Sequence, residues 1–157
     1  MNNQEFNFKY TNITDPSELD DISKRLISKA KSAAKNAYAP YSEFNVGAAV
    51  LLENGEIITG SNQENAAFPS GLCAERIALF YANSIYPDVP VKTMVVAALQ
   101  NGEYLKFPVA PCGSCRQVIL ETQTRFKNKI KLIMYGEEKI SIVEDAAFLL
   151  PFPFEGF

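Results

Sequence analysis

Three cysteines and one glutamate hold most of the chemistry that this sequence of 157 residues offers. Cys112 and Cys115 sit three apart in Pro111-Cys112-Gly113-Ser114-Cys115-Arg116-Gln117, at a predicted helix start. That spacing puts both sulfurs on one side of the first turn, where the helix dipole favours thiolate over thiol. Cys73 also stands at a predicted helix start, in Cys73-Ala74-Glu75-Arg76. Two helix N-termini aimed at one point would hold three thiolates, a donor set that suits zinc. The chain has no histidine, so neither a histidine base nor a histidine ligand is possible.

Structural zinc sites close with four protein ligands, whereas catalytic ones leave a position for water. Three cysteines therefore predict a catalytic site unless a carboxylate closes it. Glu75 is two residues past Cys73 and can reach a point beyond the helix end, where it could take a proton from activated water. Three thiolates outweigh a dication and oppose the formation of hydroxide. Arg76 could offset that charge by donating to the sulfurs. The residues leave other readings open. A Cys-x-x-Cys at a helix start also serves thiol–disulfide oxidoreductases, and a zinc-stabilised binding domain would have no use for Glu75. Redox chemistry gives neither Cys73 nor Glu75 a task.

The elements that must position these residues are legible in the pattern. Asp15, Pro16 and Glu18 read as a helix start. Leu19, Ile22, Leu26, Ala30, Ala33 and Ala37 follow as one apolar stripe, and the helix must end before Pro40. Residues 47–52 and 56–59 are predicted to form a hairpin through a type I′ turn at Asn54-Gly55. Helices are predicted over 72–84 and 113–124, strands over 93–99, 130–135 and 139–142, and a last short helix over 143–149. Phe6, Phe8 and Tyr10 alternate as a strand face does, which predicts an edge strand or a loosely docked extension. Alternating helices and strands predict an α/β fold, a three-layer α/β/α sandwich around a central mixed sheet of about five strands. Residues 1–14 read as an N-terminal extension and 15–157 as a single domain.

Composition narrows the partners. With 47% hydrophobic and 21% charged residues, the chain is that of an ordinary globular protein. Fifteen Lys and Arg against eighteen Asp and Glu give a net charge of −3, without the basic footprint of a nucleic-acid binder. The longest apolar runs, 46–52 and 94–99, fall far short of the roughly 20 residues that span a bilayer. The opening Met-Asn-Asn-Gln-Glu has no features of a secretory signal, and three cysteines do not make a disulfide framework. A cytoplasmic protein acting on a small molecule is expected, with neither nucleic acid nor membrane as partner. Phe148, Phe152, Phe154 and Phe157 crowd the C-terminal segment and predict an interface.

Cys73-Ala74-Glu75 and Pro111-Cys112-Gly113-Ser114-Cys115 resemble the three-cysteine form of the zinc deaminase signature. Tyr41-Ser42-Glu43-Phe44-Asn45-Val46-Gly47-Ala48-Ala49, Gly60-Ser61-Asn62-Gln63-Glu64-Asn65-Ala66 and Cys73-Ala74-Glu75-Arg76 resemble blocks of the short, homotetrameric cytidine deaminases. The resemblance spans residues 19–154. It implies hydrolytic deamination of cytidine and 2′-deoxycytidine to the uridines with release of ammonia, in pyrimidine salvage. It implies one zinc per chain on Cys73, Cys112 and Cys115, with Glu75 shuttling protons. Asn62 and Glu64 match the ribose-binding pair, and Phe44 matches the wall of the sugar and base pocket. The backbone around Ala74 and Cys112 would hydrogen-bond the pyrimidine. Phe154, with Phe152 as its competitor, matches an aromatic that a neighbouring subunit stacks on the base, in a homotetramer whose active sites are completed across subunits.

Overall fold

In the computed structural model, which describes residues 2–154, the chain forms ten regular elements among the described residues. In order they are β1 (Thr11–Ile13), α1 (Asp21–Ala34), β2 (Phe44–Leu52), β3 (Ile57–Ser61), α2 (Ala74–Ile85), β4 (Val91–Gln100), β5 (Glu103–Tyr104), α3 (Gly113–Phe126), β6 (Lys131–Met134) and β7 (Ile140–Val143). The strands make one mixed sheet in the order β1-β7-β6-β4-β2-β3, with β5 pairing β4 outside that path. β4 and β6 run parallel, and the other pairs are antiparallel. The sheet has seven strands where the sequence predicts about five. The two additions, β1 and β5, have three and two residues, too few to carry a period-two signal.

Strand alternation sorts the core into two layers. Ala48, Val50, Met94 and Val96 pack with Ala78 and Leu79 of α2 and Ile119 of α3 on one face. Ala49, Val95, Ala97 and Ile133 pack with Leu26, Ile27 and Ala30 of α1 on the other. The α/β/α sandwich follows directly, because β4 is apolar on both faces. Two glycines set how close the helices come. A Cβ at Gly60 of β3 would lie 2.5 Å from the Ala74 carbonyl oxygen and 2.6 Å from the Ala78 nitrogen, so the head of α2 rests on bare backbone. Gly47 of β2 does the same beneath α1, at Ala30 and Ala34. No helix among the described residues is long and apolar enough to cross a membrane.

Several local expectations are corrected. Asp15 caps only a short 3-10 turn over Pro16–Glu18, and α1 begins afresh where Asp20 accepts from the Ser23 N–H at 2.6 Å. The shifted start moves the buried stripe to Ser23, Leu26, Ile27, Ala30, Ala33 and Ala34, leaving Ile22 exposed and Ala37 beyond the helix. Asn54-Gly55 does not form a type I′ turn. Only Gly55 has positive φ, and the Leu52 carbonyl accepts from its N–H at 3.0 Å, closing a three-residue loop. Positive φ at two consecutive residues, the mark of a type I′ turn, occurs at Asn101-Gly102 between β4 and β5. Phe6, Phe8 and Tyr10 form no strand and stay exposed, while the next residues, Thr11–Ile13, pair with β7. Val143 remains in β7, so the last predicted helix shrinks to a 3-10 turn at Ala146–Leu149. Phe157 lies outside the described residues.

Candidate active site

α2 and α3 both begin at a cysteine. Cys73 is the N-cap of α2 and Cys112 that of α3, and neither side chain accepts a capping bond from its helix's backbone. Their sulfurs stay available, lying 3.8 Å apart, and Cys115 in the first turn of α3 brings its Sγ within 3.4 Å of that of Cys112. All three ligand atoms fall within 4.8 Å of one another. Cys115 is buried, Cys73 half-buried and Cys112 exposed, so the cluster opens to one side. Arg116 braces the start of α3, donating from Nε to the Pro111 carbonyl at 2.9 Å and from Nη1 to the Leu149 carbonyl at 3.1 Å.

The cluster carries charge of its own. The Cys73 thiol is pulled down to about 5, first by the Cys115 thiol that donates to it and then by Arg76, whose Nη2 stands 3.8 Å from the sulfur. Cys115 is pushed up, because its proton is held against Cys73 and its site is buried. Three soft donors at two helix N-termini fit zinc, and a set of three protein donors is what a catalytic zinc uses. Cys73, Cys112 and Cys115 are the residues that would hold it.

Glu75 is 4% exposed on the first turn of α2. Burial above all, and then the charge on Cys73, pushes its carboxyl above the usual range. It walls a cleft of about 460 Å³ together with Phe44, Asn62, Glu64, Cys73 and Cys112. Ala74, fully buried, is the first residue of α2, where a backbone N–H has no partner within the helix. An adjoining cleft of about 490 Å³ reaches Tyr41, Phe68 and Arg76 and shares Ser42, Asn62, Glu64 and Cys73 with the first. Glu75 and Cys112 line the smaller one and not the larger.

Asn62 closes the start of β2. Its Oδ1 accepts from the Val46 N–H at 2.7 Å and its Nδ2 donates to the Phe44 carbonyl at 2.9 Å. Glu64 accepts from the Tyr41 and Ser42 N–H groups at 2.9 and 3.3 Å and from the Ser42 hydroxyl. Phe154 is not brought to either cleft. Its backbone is held in both directions by Gln117 of α3, at 2.6 and 3.0 Å, and its ring is largely exposed, as is that of Phe152. Ser42, Val96, Ala110 and Arg116 belong to the site and had no assigned role from sequence. Ser42 could have been flagged by its place two residues ahead of Phe44. The others are ordinary types with no chemical signature.

An α/β/α sandwich with a three-thiol cluster and a buried carboxylate at paired helix heads defines a metal-dependent hydrolase site. The cytidine and deoxycytidylate deaminase zinc-binding region matches residues 20–129, and the chain belongs to that family. It is 48% identical over 96 residues to a cytidine deaminase of Halalkalibacterium halodurans, covering 61% of this chain and 68% of the relative. It is 47% identical over 98 residues to that of Sporosarcina psychrophila, covering 62% and 68%. Among solved structures, cytidine deaminase from Burkholderia pseudomallei superimposes with a TM-score of 0.72 at 36% identity, over 83% of this chain and 98% of that one.

Proposed function

We propose that this protein is a zinc-dependent hydrolase that deaminates cytidine and 2′-deoxycytidine to the corresponding uridines, releasing ammonia. One observation carries the reading: Glu75 is buried on the helix that Cys73 caps, in the cleft that Cys112 also walls. Zinc, when bound, supplies a Lewis acid that makes water a nucleophile near neutral pH. Glu75 takes a proton from the attacking water and delivers it to N3 of the pyrimidine as C4 is attacked. It then takes the proton of the new C4 hydroxyl and passes it to the amino group, so that the C4–N bond breaks, ammonia leaves and the C4 carbonyl forms. Arg76 offsets the negative charge of the sulfurs. The unpaired backbone N–H at Ala74 orients the base, Phe44 packs against it, and Asn62 and Glu64 take the ribose.

We further infer a homotetramer in which the C-terminal aromatic of one subunit, Phe154, completes the site of a neighbour. The exposed rings of Phe152 and Phe154 and the grip of Gln117 on the Phe154 backbone support it. A monomeric mass at micromolar concentration with full activity would refute it. We take residues 15–157 as the catalytic domain and 1–14 as an extension whose residues 11–13 add the edge strand β1 to its sheet. The cytoplasm, which keeps thiols reduced, suits three free cysteines.

Metal content and the ultraviolet change on adding cytidine test the reaction. About one zinc per chain with conversion to uridine, both lost on stripping the metal, is the expected result. No metal, with a reducible Cys112–Cys115 disulfide, would assign the site to redox chemistry instead.

A further inference from the structure

We propose that Ser42 is a positioning residue for the sugar side of the cleft, fixing the Glu64 carboxylate where a ribose 3′-hydroxyl can donate to it. The inference rests on the reading of the cleft given above. Ser42 lies on the wall shared by the two adjoining clefts. Its hydroxyl donates to Glu64 Oε1 at 2.5 Å and accepts from the Phe44 N–H at 3.1 Å. One side chain therefore ties the acceptor of the sugar to the strand that carries the aromatic wall. The backbone bends to allow this, since Glu43 between them has φ +54, a left-handed conformation rare outside glycine.

Glu64 Oε2 is occupied by the Tyr41 and Ser42 N–H groups, and Oε1 by the Ser42 hydroxyl. A carboxylate offers about four lone-pair sites, so three donors leave about one for a ligand hydroxyl. The same bonds hold Glu64 below the usual carboxylate range, keeping it an acceptor at neutral pH. A glutamate pinned in advance loses less side-chain freedom when the ligand arrives. Alanine at position 42 can neither donate to Glu64 nor accept from Phe44. Threonine can do both.

The test compares the parent, Ser42→Ala and Ser42→Thr on cytidine and on 3′-deoxycytidine, with uridine binding measured by calorimetry on the zinc-loaded proteins. For Ser42→Ala, KM for cytidine and Kd for uridine should each rise about tenfold, while kcat falls less than about threefold. With 3′-deoxycytidine the KM values of parent and Ser42→Ala should agree, and Ser42→Thr should restore the parental values on cytidine. An unchanged KM and Kd in Ser42→Ala overturns the proposal, as does an equal rise on 3′-deoxycytidine. Should Ser42→Ala melt early, Ser42→Cys keeps the volume with a weaker donor, and parental uridine affinity in that variant overturns the proposal equally. A parent that binds uridine without turning over cytidine defeats the deaminase reading alone, because the affinities still judge Ser42. A parent that binds no uridine defeats both.

Discussion

Cys73 and Cys112 occupy the same position on two different helices, the N-cap, and their sulfurs meet 3.8 Å apart. Each helix thus presents its unpaired first-turn N–H groups and the positive end of its dipole to one spot. At that spot Cys73 is pulled down to about 5, first by the Cys115 thiol and then by Arg76, while Cys115 keeps its proton. Glu75 belongs to the first turn of α2 but is buried, so one helix end carries a thiol and a carboxyl with opposite electrostatic tuning.

Glu75→Gln should separate these roles. The amide keeps the shape of the side chain, and the three sulfurs are untouched, so about one zinc per chain and a cooperative melt are expected. Turnover of cytidine should fall roughly a thousandfold or more, the scale of a lost general acid and base. Metal analysis and steady-state kinetics on the same preparation check it, and near-parental turnover would remove Glu75 from the mechanism.

Cytidine 3′-monophosphate and short cytosine-containing oligonucleotides should be poor substrates beside free cytidine. Glu64 is held ionised by the N–H groups of Tyr41 and Ser42 and by the Ser42 hydroxyl, so a 3′-phosphate would bring a second anion against it. Rates measured side by side at equal concentration decide this. Comparable rates on free cytidine and on the oligonucleotide would contradict the ribose assignment of Glu64.

The head of α1 gives a pH-dependent prediction. Asp20 caps that helix through the Ser23 N–H, which holds its carboxyl below 3.8. Asp20→Ala should cost about 1 kcal/mol at neutral pH. Because the folded-state value is depressed, the contribution is fully present above the unfolded value and is lost as pH falls through the folded one. Urea denaturation of parent and variant at about pH 7 and about pH 3 should show the gap narrowing in acid. A gap of equal size at both values would mean that the cap is not acting as a carboxylate.

The site was more legible than the edges of the fold, for a physical reason. Cys73, Glu75, Cys112 and Cys115 announce themselves by type and spacing, and a helix start is itself a sequence signal. The five central strands were visible because burial imposes a long apolar pattern on β2 and β4. β1 and β5 were not, since pairing over two or three residues needs a partner strand and leaves no periodicity. Asp15 and Asp20 each cap a turn, and only the tertiary packing of Leu26 and Ala30 decides which one starts the long helix. Ser42 bonds to Glu64, 22 residues away in the chain, so its place ahead of Phe44 locates it without naming its partner.

Gly60→Ala should damage both stability and the metal site, although Gly60 is no ligand. The added Cβ would sit 2.5 Å from the backbone oxygen of Ala74, where no flexible side chain can give way, so α2 must lift from β3. Overpacking of this kind costs about 1–3 kcal/mol. The displacement acts at the residue next to Cys73, while Cys112 and Cys115 stay with α3, so the three sulfurs no longer converge as before. The expected result is a lower Tm together with weaker zinc retention against a competing chelator. Gly55→Ala is the control. Gly55 has positive φ and nothing within 4 Å, so its cost falls on the β2–β3 turn alone and zinc retention should match the parent. Parental zinc retention in Gly60→Ala would show that α2 can shift without carrying Cys73 out of the cluster.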